Sequence, residues 1–124
     1  MKKKKLPSLA KLKRDLDRHF SLFIRRRDAD DKGMGRCVTC GDWALLQASH
    51  FIPRQHLAVR WDVRNVHGSC ARCNCWLHGN LIEYNAFMLK EYGQETIDEL
   101  RRLQRTTLKL TRNDYNDLIA RFKT

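Results

Sequence analysis

The chain has 124 residues, the length of one ordinary domain, and its 42% apolar and 31% charged residues argue against wholesale disorder. No apolar run approaches the roughly 18 residues of a spanning helix, which excludes a membrane-embedded protein. A formal net charge of +11 restricts the expected partners to polyanions, nucleic acid before an anionic membrane surface.

In chain order, Met1 to Pro7 is basic with no apolar stretch behind it, which predicts a flexible arm over 1–7 and no secretory signal. Residues 1–36 hold 13 basic and 5 acidic side chains, against 4 and 2 in 37–80 and 8 and 7 in 81–124, so the surplus is N-terminal. Ser8 predicts a cap for a helix that shows Leu9, Leu12, Leu16, Phe20 and Phe23 at helical spacing. Lys11, Arg14, Arg18 and Arg25 fall on another face, which is either simply solvated or tracks phosphates. Gly33 and Gly35 end this segment. Trp43, Leu45, Leu46, Ala48 and His50 predict a short strand, and Val63 to His67 a second, with Pro53 breaking the chain between them.

After Cys73 the pattern becomes helical. Leu81, Tyr84, Met88 and Tyr92 share a face, and Gly93 stops the run. A short helix follows around Ile97, Leu100 and Leu103. Thr111 and Asp114 resemble a capping box that opens a last helix with the stripe Tyr115, Leu118, Ile119 and Phe122. No internal repeat is visible, and the expectation is a single domain over 8–124.

The five cysteines are Cys37, Cys40, Cys70, Cys73 and Cys75. An odd count with two Cys-x-x-Cys pairs suits a reduced, cytoplasmic metal-binding protein better than a secreted disulfide framework. One pair alone would also fit a redox motif, but two pairs supply the four soft ligands of a tetrahedral structural Zn²⁺ site. Cys75 is left over, and its simplest reading is a small helical residue.

The segment between the pairs holds His50, His56 and His67, and His78 follows five residues after Cys73. Phosphodiester hydrolysis needs a base to activate water and a cation to stabilise the leaving oxygen. His50 is the candidate base, since a neutral imidazole accepts a proton near pH 7. Asn74 offers a hard amide oxygen suited to Mg²⁺ or Mn²⁺ at the expected first turn of a helix. His78, four residues on, would share that face and reach the phosphate, with Arg54 a further phosphate contact. His67 is either a catalytic or a packed residue, and packing is the simpler reading of His56.

Cys37-x-x-Cys40, Ser49-His50-Phe51, Asn65-Val66-His67, Cys70-x-x-Cys73-Asn74 and Gly79-Asn80-Leu81 together resemble the phage recombination nuclease family NinG, also called Rap. That family falls within the HNH, ββα-metal or His-Me finger, nucleases. The resemblance runs from about Phe20 to Tyr92 and includes Arg27-Asp28-Ala29-Asp30. It implies an α+β fold, with a small zinc-stabilised ββα-metal core over 37–92. The basic helix and loop of 8–36 and the helices of 93–124 would flank that core. It implies that His50 is the general base, that Asn74 holds the catalytic divalent ion, and that Asn65 braces the loop. The four paired cysteines would form the structural zinc site.

One departure is Ser49, where many HNH nucleases carry Asp or His as a second metal ligand. Ser49, His67 or water then completes the shell. The expected activity is a divalent-metal-dependent endonuclease acting on branched recombination intermediates such as Holliday junctions and D-loops. Two nicks per junction would favour a homodimer. The alternative is a zinc-stabilised DNA-binding accessory protein without catalysis. Composition and the cysteine pairs suit both, and His50 together with Asn74 separates them.

Overall fold

The computed structural model describes residues 5–123, so Lys2 to Lys4 of the expected arm lie outside the described residues. These residues divide into two compact units, one bounded by Phe23 and Lys109 at the two ends of the chain, the other Ile24–Leu108.

The first unit rests on two helices. α1 (Leu9–Asp28) opens where Ser8 Oγ accepts the Lys11 N–H at 3.1 Å. Its apolar residues fall four apart, and Leu12, Leu16, Phe20 and Ile24 are buried while Leu9 is 46% exposed. The buried stripe therefore starts one turn later than the sequence suggested and ends on Ile24, beyond Phe23. α5 (Arg112–Phe122) carries the expected capping box: Thr111 Oγ1 accepts from the Asp114 N–H at 3.2 Å, and the Asp114 carboxylate accepts from the Thr111 N–H at 2.8 Å. Phe122 of α5 meets Phe20 edge-on at 4.8 Å and Phe23 at 5.2 Å. Each such ring pair contributes about 0.5–1.5 kcal/mol beyond its buried area.

The second unit mixes short strands and helices. β1 (Met34–Arg36) pairs antiparallel with β2 (Trp43–Leu45), and β3 (Gln47–His50) with β4 (Val66–Ser69). The single strand expected over Trp43–His50 is thus two strands, split at Leu46, where the pairing partner changes. Leu46 is buried between the two ribbons' glycines. A Cβ on Gly35 or on Gly68 would sit 2.7 Å from Leu46 Cδ1. Only glycine lets β1 and β4 come this close. A short helix that the sequence did not suggest, α2 (Leu57–Arg60), fills the loop between β3 and β4.

Beyond β4 a π-helical turn (Arg72–Trp76) leads through His78, Gly79 and Asn80, at φ 52°, 92° and 50°, into α3 (Leu81–Glu91). The helix expected to run on from Cys73 is therefore interrupted. Three successive left-handed residues cannot propagate an α-helix, so His78 does not lie one turn below Asn74 on a shared face. α4 (Gln94–Gln104) is a full eleven residues, longer than the short helix expected. Ile52, Val59, Tyr84, Met88, Ile97 and Leu100 form the core of this unit. No helix among the described residues is long and apolar enough to cross a membrane.

Candidate functional site

Four cysteines converge where two turns meet. The first turn is the tip of the β1–β2 hairpin: Cys37 N–H donates to Asp42 C=O at 2.8 Å, and Gly41 N–H donates to Cys37 C=O at 3.0 Å. Gly41 makes this turn possible with φ 80°. The second turn lies at the end of β4, where Asn74 N–H donates to Cys70 C=O at 2.9 Å. The sulfurs of Cys37, Cys40, Cys70 and Cys73 all lie within 4.8 Å of one another, and Cys40 and Cys70 are 3.8 Å apart. A tetrahedron with Zn–S bonds of about 2.3 Å has S···S edges of about 3.8 Å, so this set can hold a metal ion such as zinc. Burial pushes the Cys37 thiol up. The Cys40 N–H, the Ser69 and Thr39 hydroxyls and the Cys70 N–H outweigh it and bring it down to about 5, which favours the ligating thiolate. Cys75 is exposed and outside the cluster.

His50 closes β3. Its Nε2 lies 2.9 Å from Arg60 C=O. A carbonyl only accepts, so Nε2 carries the proton in this contact and Nδ1 is the basic nitrogen of the neutral ring. The loop that brings Arg60 there is held by Asn65, which is fully buried. Asn65 Oδ1 accepts from Ile52 N–H at 2.8 Å, and its Nδ2 donates to Ile52 C=O at 3.0 Å and Val59 C=O at 3.1 Å. One amide thus staples the start of the loop to α2, a bracing placement as the resemblance implied.

His67 and Ser49 sit directly opposite each other across the β3–β4 ribbon, while His50 pairs with Val66. Side chains alternate along a strand, so Ser49 and His67 share one face and His50 occupies the other. Both are buried, at 1% and 5% exposure. The structure therefore does not bring His67 or Ser49 to His50. Instead, His67 joins a hydrogen-bond chain whose direction can be read off. Tyr84 Oη donates to Ser49 C=O at 2.8 Å, which uses its only proton. It must then accept from His67 Nδ1 at 3.0 Å, and His67 Nε2 accepts from Tyr92 Oη at 2.7 Å.

That chain requires neutral His67. Burial, reinforced by the Arg27 charge and only partly opposed by Asp28, brings it down to about 4. An unfolded histidine titrates near 6.5, so the neutral residue contributes its full stability above that pH and loses it as pH falls toward 4. The whole interval corresponds to about 3 kcal/mol. His67→Gln keeps one donor and one acceptor but cannot titrate. Urea unfolding at pH 7 and pH 4.5 should show that difference shrink in the variant, and an equal acid loss in both proteins would refute it.

Asn74 is half-buried, and its Nδ2 donates to Gln47 Oε1 at 2.8 Å. This turns Oδ1, the atom a hard cation takes, away from the protein contact. Cys75 Sγ donates to the same Gln47 oxygen at 3.4 Å. Asn74 is thus tied to the start of β3, and His50 stands at its end. Arg54 and His78 are exposed. On α1, Arg14 and Arg18 are exposed, Lys11 is exposed but pairs with Asp15 at 3.0 Å, and Arg25 is half-buried. His56 Nε2 lies 3.2 Å from Gln104 Nε2, a packing contact.

Sequence reasoning missed Gln47, the two tyrosine hydroxyls, and the work of Arg27 and Asp28. The Arg27 guanidinium donates to Val63 C=O at 2.8 Å and Val66 C=O at 2.7 Å, and Asp28 accepts from Gly68 N–H at 2.8 Å. The short run Arg27-Asp28 ahead of the cysteines was the only signal for these ties to β4.

A sequence model of the bacteriophage lambda NinG protein matches residues 1–124. The chain is similar to protein ninG of Escherichia phage 933W, 36% identical over 81 residues that cover 63% of this chain and 38% of that protein. Protein ninG of Escherichia phage lambda is 35% identical and that of Salmonella phage P22 33% identical, each over 81 residues with the same coverage. The chain therefore spans well under half the length of the curated relatives it matches. No solved structure matches it.

Proposed function

Because the chain belongs to the bacteriophage lambda NinG family, we propose that it is a divalent-metal-dependent endonuclease of the HNH type acting on branched DNA. The observation that carries this reading is His50, held at the end of β3 with its Nε2 on the Arg60 carbonyl and the loop behind it locked by Asn65. With Nε2 on the Arg60 carbonyl, Nδ1 is the nitrogen left to take a proton, as a general base requires. In this reading the β3–β4 hairpin, the π-helical turn and α3 form the ββα-metal core. Zinc at the four cysteines would tie the tip of the β1–β2 hairpin to the end of β4, beside that core.

His50 Nδ1 takes the proton from a water molecule as that water attacks the phosphorus. The Arg60 carbonyl stabilises the resulting imidazolium by holding its other N–H. Asn74 would hold Mg²⁺ or Mn²⁺ through Oδ1, with its amide oriented by Gln47. When bound, the ion supplies charge stabilisation at the leaving oxygen. Ser49 and His67 hold the strand from its other face. Arg14, Arg18 and Arg54 contribute phosphate affinity without reading sequence.

The test is cleavage of matched linear, forked and four-way DNA, with Mg²⁺ or with EDTA. Nicking near the branch that requires the divalent ion is the expected result. Binding to all three without cleavage would leave a DNA-binding accessory protein instead.

A further inference from the structure

α3 is apolar on two opposite sides. Of its eleven residues only Glu83, Asn85, Lys90 and Glu91 are charged or carry an amide. Tyr84 and Met88 are fully buried in the core of the second unit, with Phe87 packed against it. Ile82, Ala86 and Leu89 follow one another at intervals of four and three, so they line the side of the helix turned away from that core. All three are exposed, Ile82 at 85% and Leu89 at 47%. A surface helix normally carries one apolar stripe and a polar back, whereas a helix apolar all round is covered all round.

Charge decides what covers it. The positive surplus of the chain lies in residues 1–36, while α3 and α4 together hold five acidic and three basic side chains. Such a surface does not attract phosphates, and it does not repel a second copy of itself.

The flank of the exposed stripe is self-complementary. Glu83 and Lys90 are seven residues apart, about two turns, so they share one flank. Neither meets an opposite charge one turn away on its own helix, because Ala86 and Phe87 occupy those places between them. When a helix packs antiparallel on its own copy, like flanks meet with their residue order reversed. A two-fold axis beside Ala86 then sets Ile82 of one copy near Leu89 of the other, and Glu83 near Lys90. The symmetry makes each contact twice, as an isologous interface does. Ala86 has the smallest side chain of the helix, which lets the two backbones approach at the axis.

We propose that the outer face of α3 docks a second copy of this chain, antiparallel, through Ile82, Ala86 and Leu89 with two flanking Glu83–Lys90 ion pairs. The homodimer expected from the sequence thereby gains a specific surface. The inference stands apart from the nuclease reading, because its test reads molecular mass and not cleavage.

The test is sedimentation equilibrium of the full chain without DNA. The wild-type chain should be dimeric at about 100 µM and dissociate on dilution. Ile82→Asp should weaken association on the order of 100-fold, since both halves of the interface then bury a charge. Glu83→Lys and Lys90→Glu, made singly, should each weaken it about tenfold, because each sets like charges together twice. Combined in one chain, they should restore association to within about threefold of wild type, a rescue that damage to the helix would not give. All three positions are exposed, so circular dichroism should show the fold unchanged. A monomeric wild-type chain overturns the proposal, and so does a double variant as weak as the singles. A monomer whose DNA affinity falls with Ile82→Asp would overturn it as well and leave the face to nucleic acid.

Discussion

Cys70→Ser yields a chain that fails to fold and carries no zinc, rather than a folded protein without activity. Structural zinc sites of this kind contribute about 10–16 kcal/mol of binding free energy near neutral pH, as much as the roughly 5–15 kcal/mol that stabilises a typical domain. The strands of the second unit are only three or four residues long, and each ribbon has two of them. Isolated two-stranded ribbons are marginal in water, so these need the cross-link that the cysteine cluster supplies. Cys75→Ser is the matched control, because Cys75 is exposed and outside the cluster. Far-UV circular dichroism and metal analysis of both purified variants decide the matter. Folded, active, zinc-free Cys70→Ser would end the assignment.

His50→Ala should lower the cleavage rate by about 10²–10⁴-fold, the usual loss for a general base, with the fold and DNA affinity retained. The substitution removes the hydrogen bond to the Arg60 carbonyl, a bond of a kind worth about 0.5–1.5 kcal/mol, and leaves the Asn65 brace in place. Affinity comes mainly from lysine and arginine contacts to phosphate, and none of these is touched. Asn74→Ala should show a similar loss, partly relieved by Mn²⁺, because only its amide oxygen would reach the ion. Single-turnover rates on a four-way substrate, with binding measured in parallel, separate the two effects. A wild-type rate in His50→Ala would remove His50 from the chemistry.

Much of the fold was legible because its signals are local. The apolar stripe of α1 and the Thr111–Asp114 box each lie within a few turns of chain; the box formed where the pattern put it, and the stripe formed with its ends shifted to Leu12 and Ile24. The cysteine cluster was legible for another reason: each pair makes its own tight turn, and the ligand count of the ion requires the two turns to meet. The split at Leu46 was signalled only by the consecutive Leu45 and Leu46, which shift the alternation of Trp43 to His50, and the structure shows that the partner strand changes there. The place of His67 was hidden. It depends on register, and a shift of one residue between β3 and β4 would have put His67 on the face of His50. The three left-handed residues after Trp76 displaced His78. Gly79 alone hinted at a turn there, and non-glycine residues on either side adopt the same backbone region.

The division of the metal cluster into two distant turns also sets an order of events during synthesis. Ribosomes add about 5–20 residues per second, so Cys70 follows Cys37 by roughly 2–7 s. Through that interval the first pair stands as a two-thiol chelate, open to any thiophilic ion and satisfied by none. Only when the second pair emerges does a chain segment of about thirty residues close into a ring, at an entropic cost that grows slowly with its length. β2, β3, α2 and β4 all lie inside that ring. If a metal ion closes that ring, His50, Asn65 and Gln47 would be fixed in their final places only after Cys73 arrives.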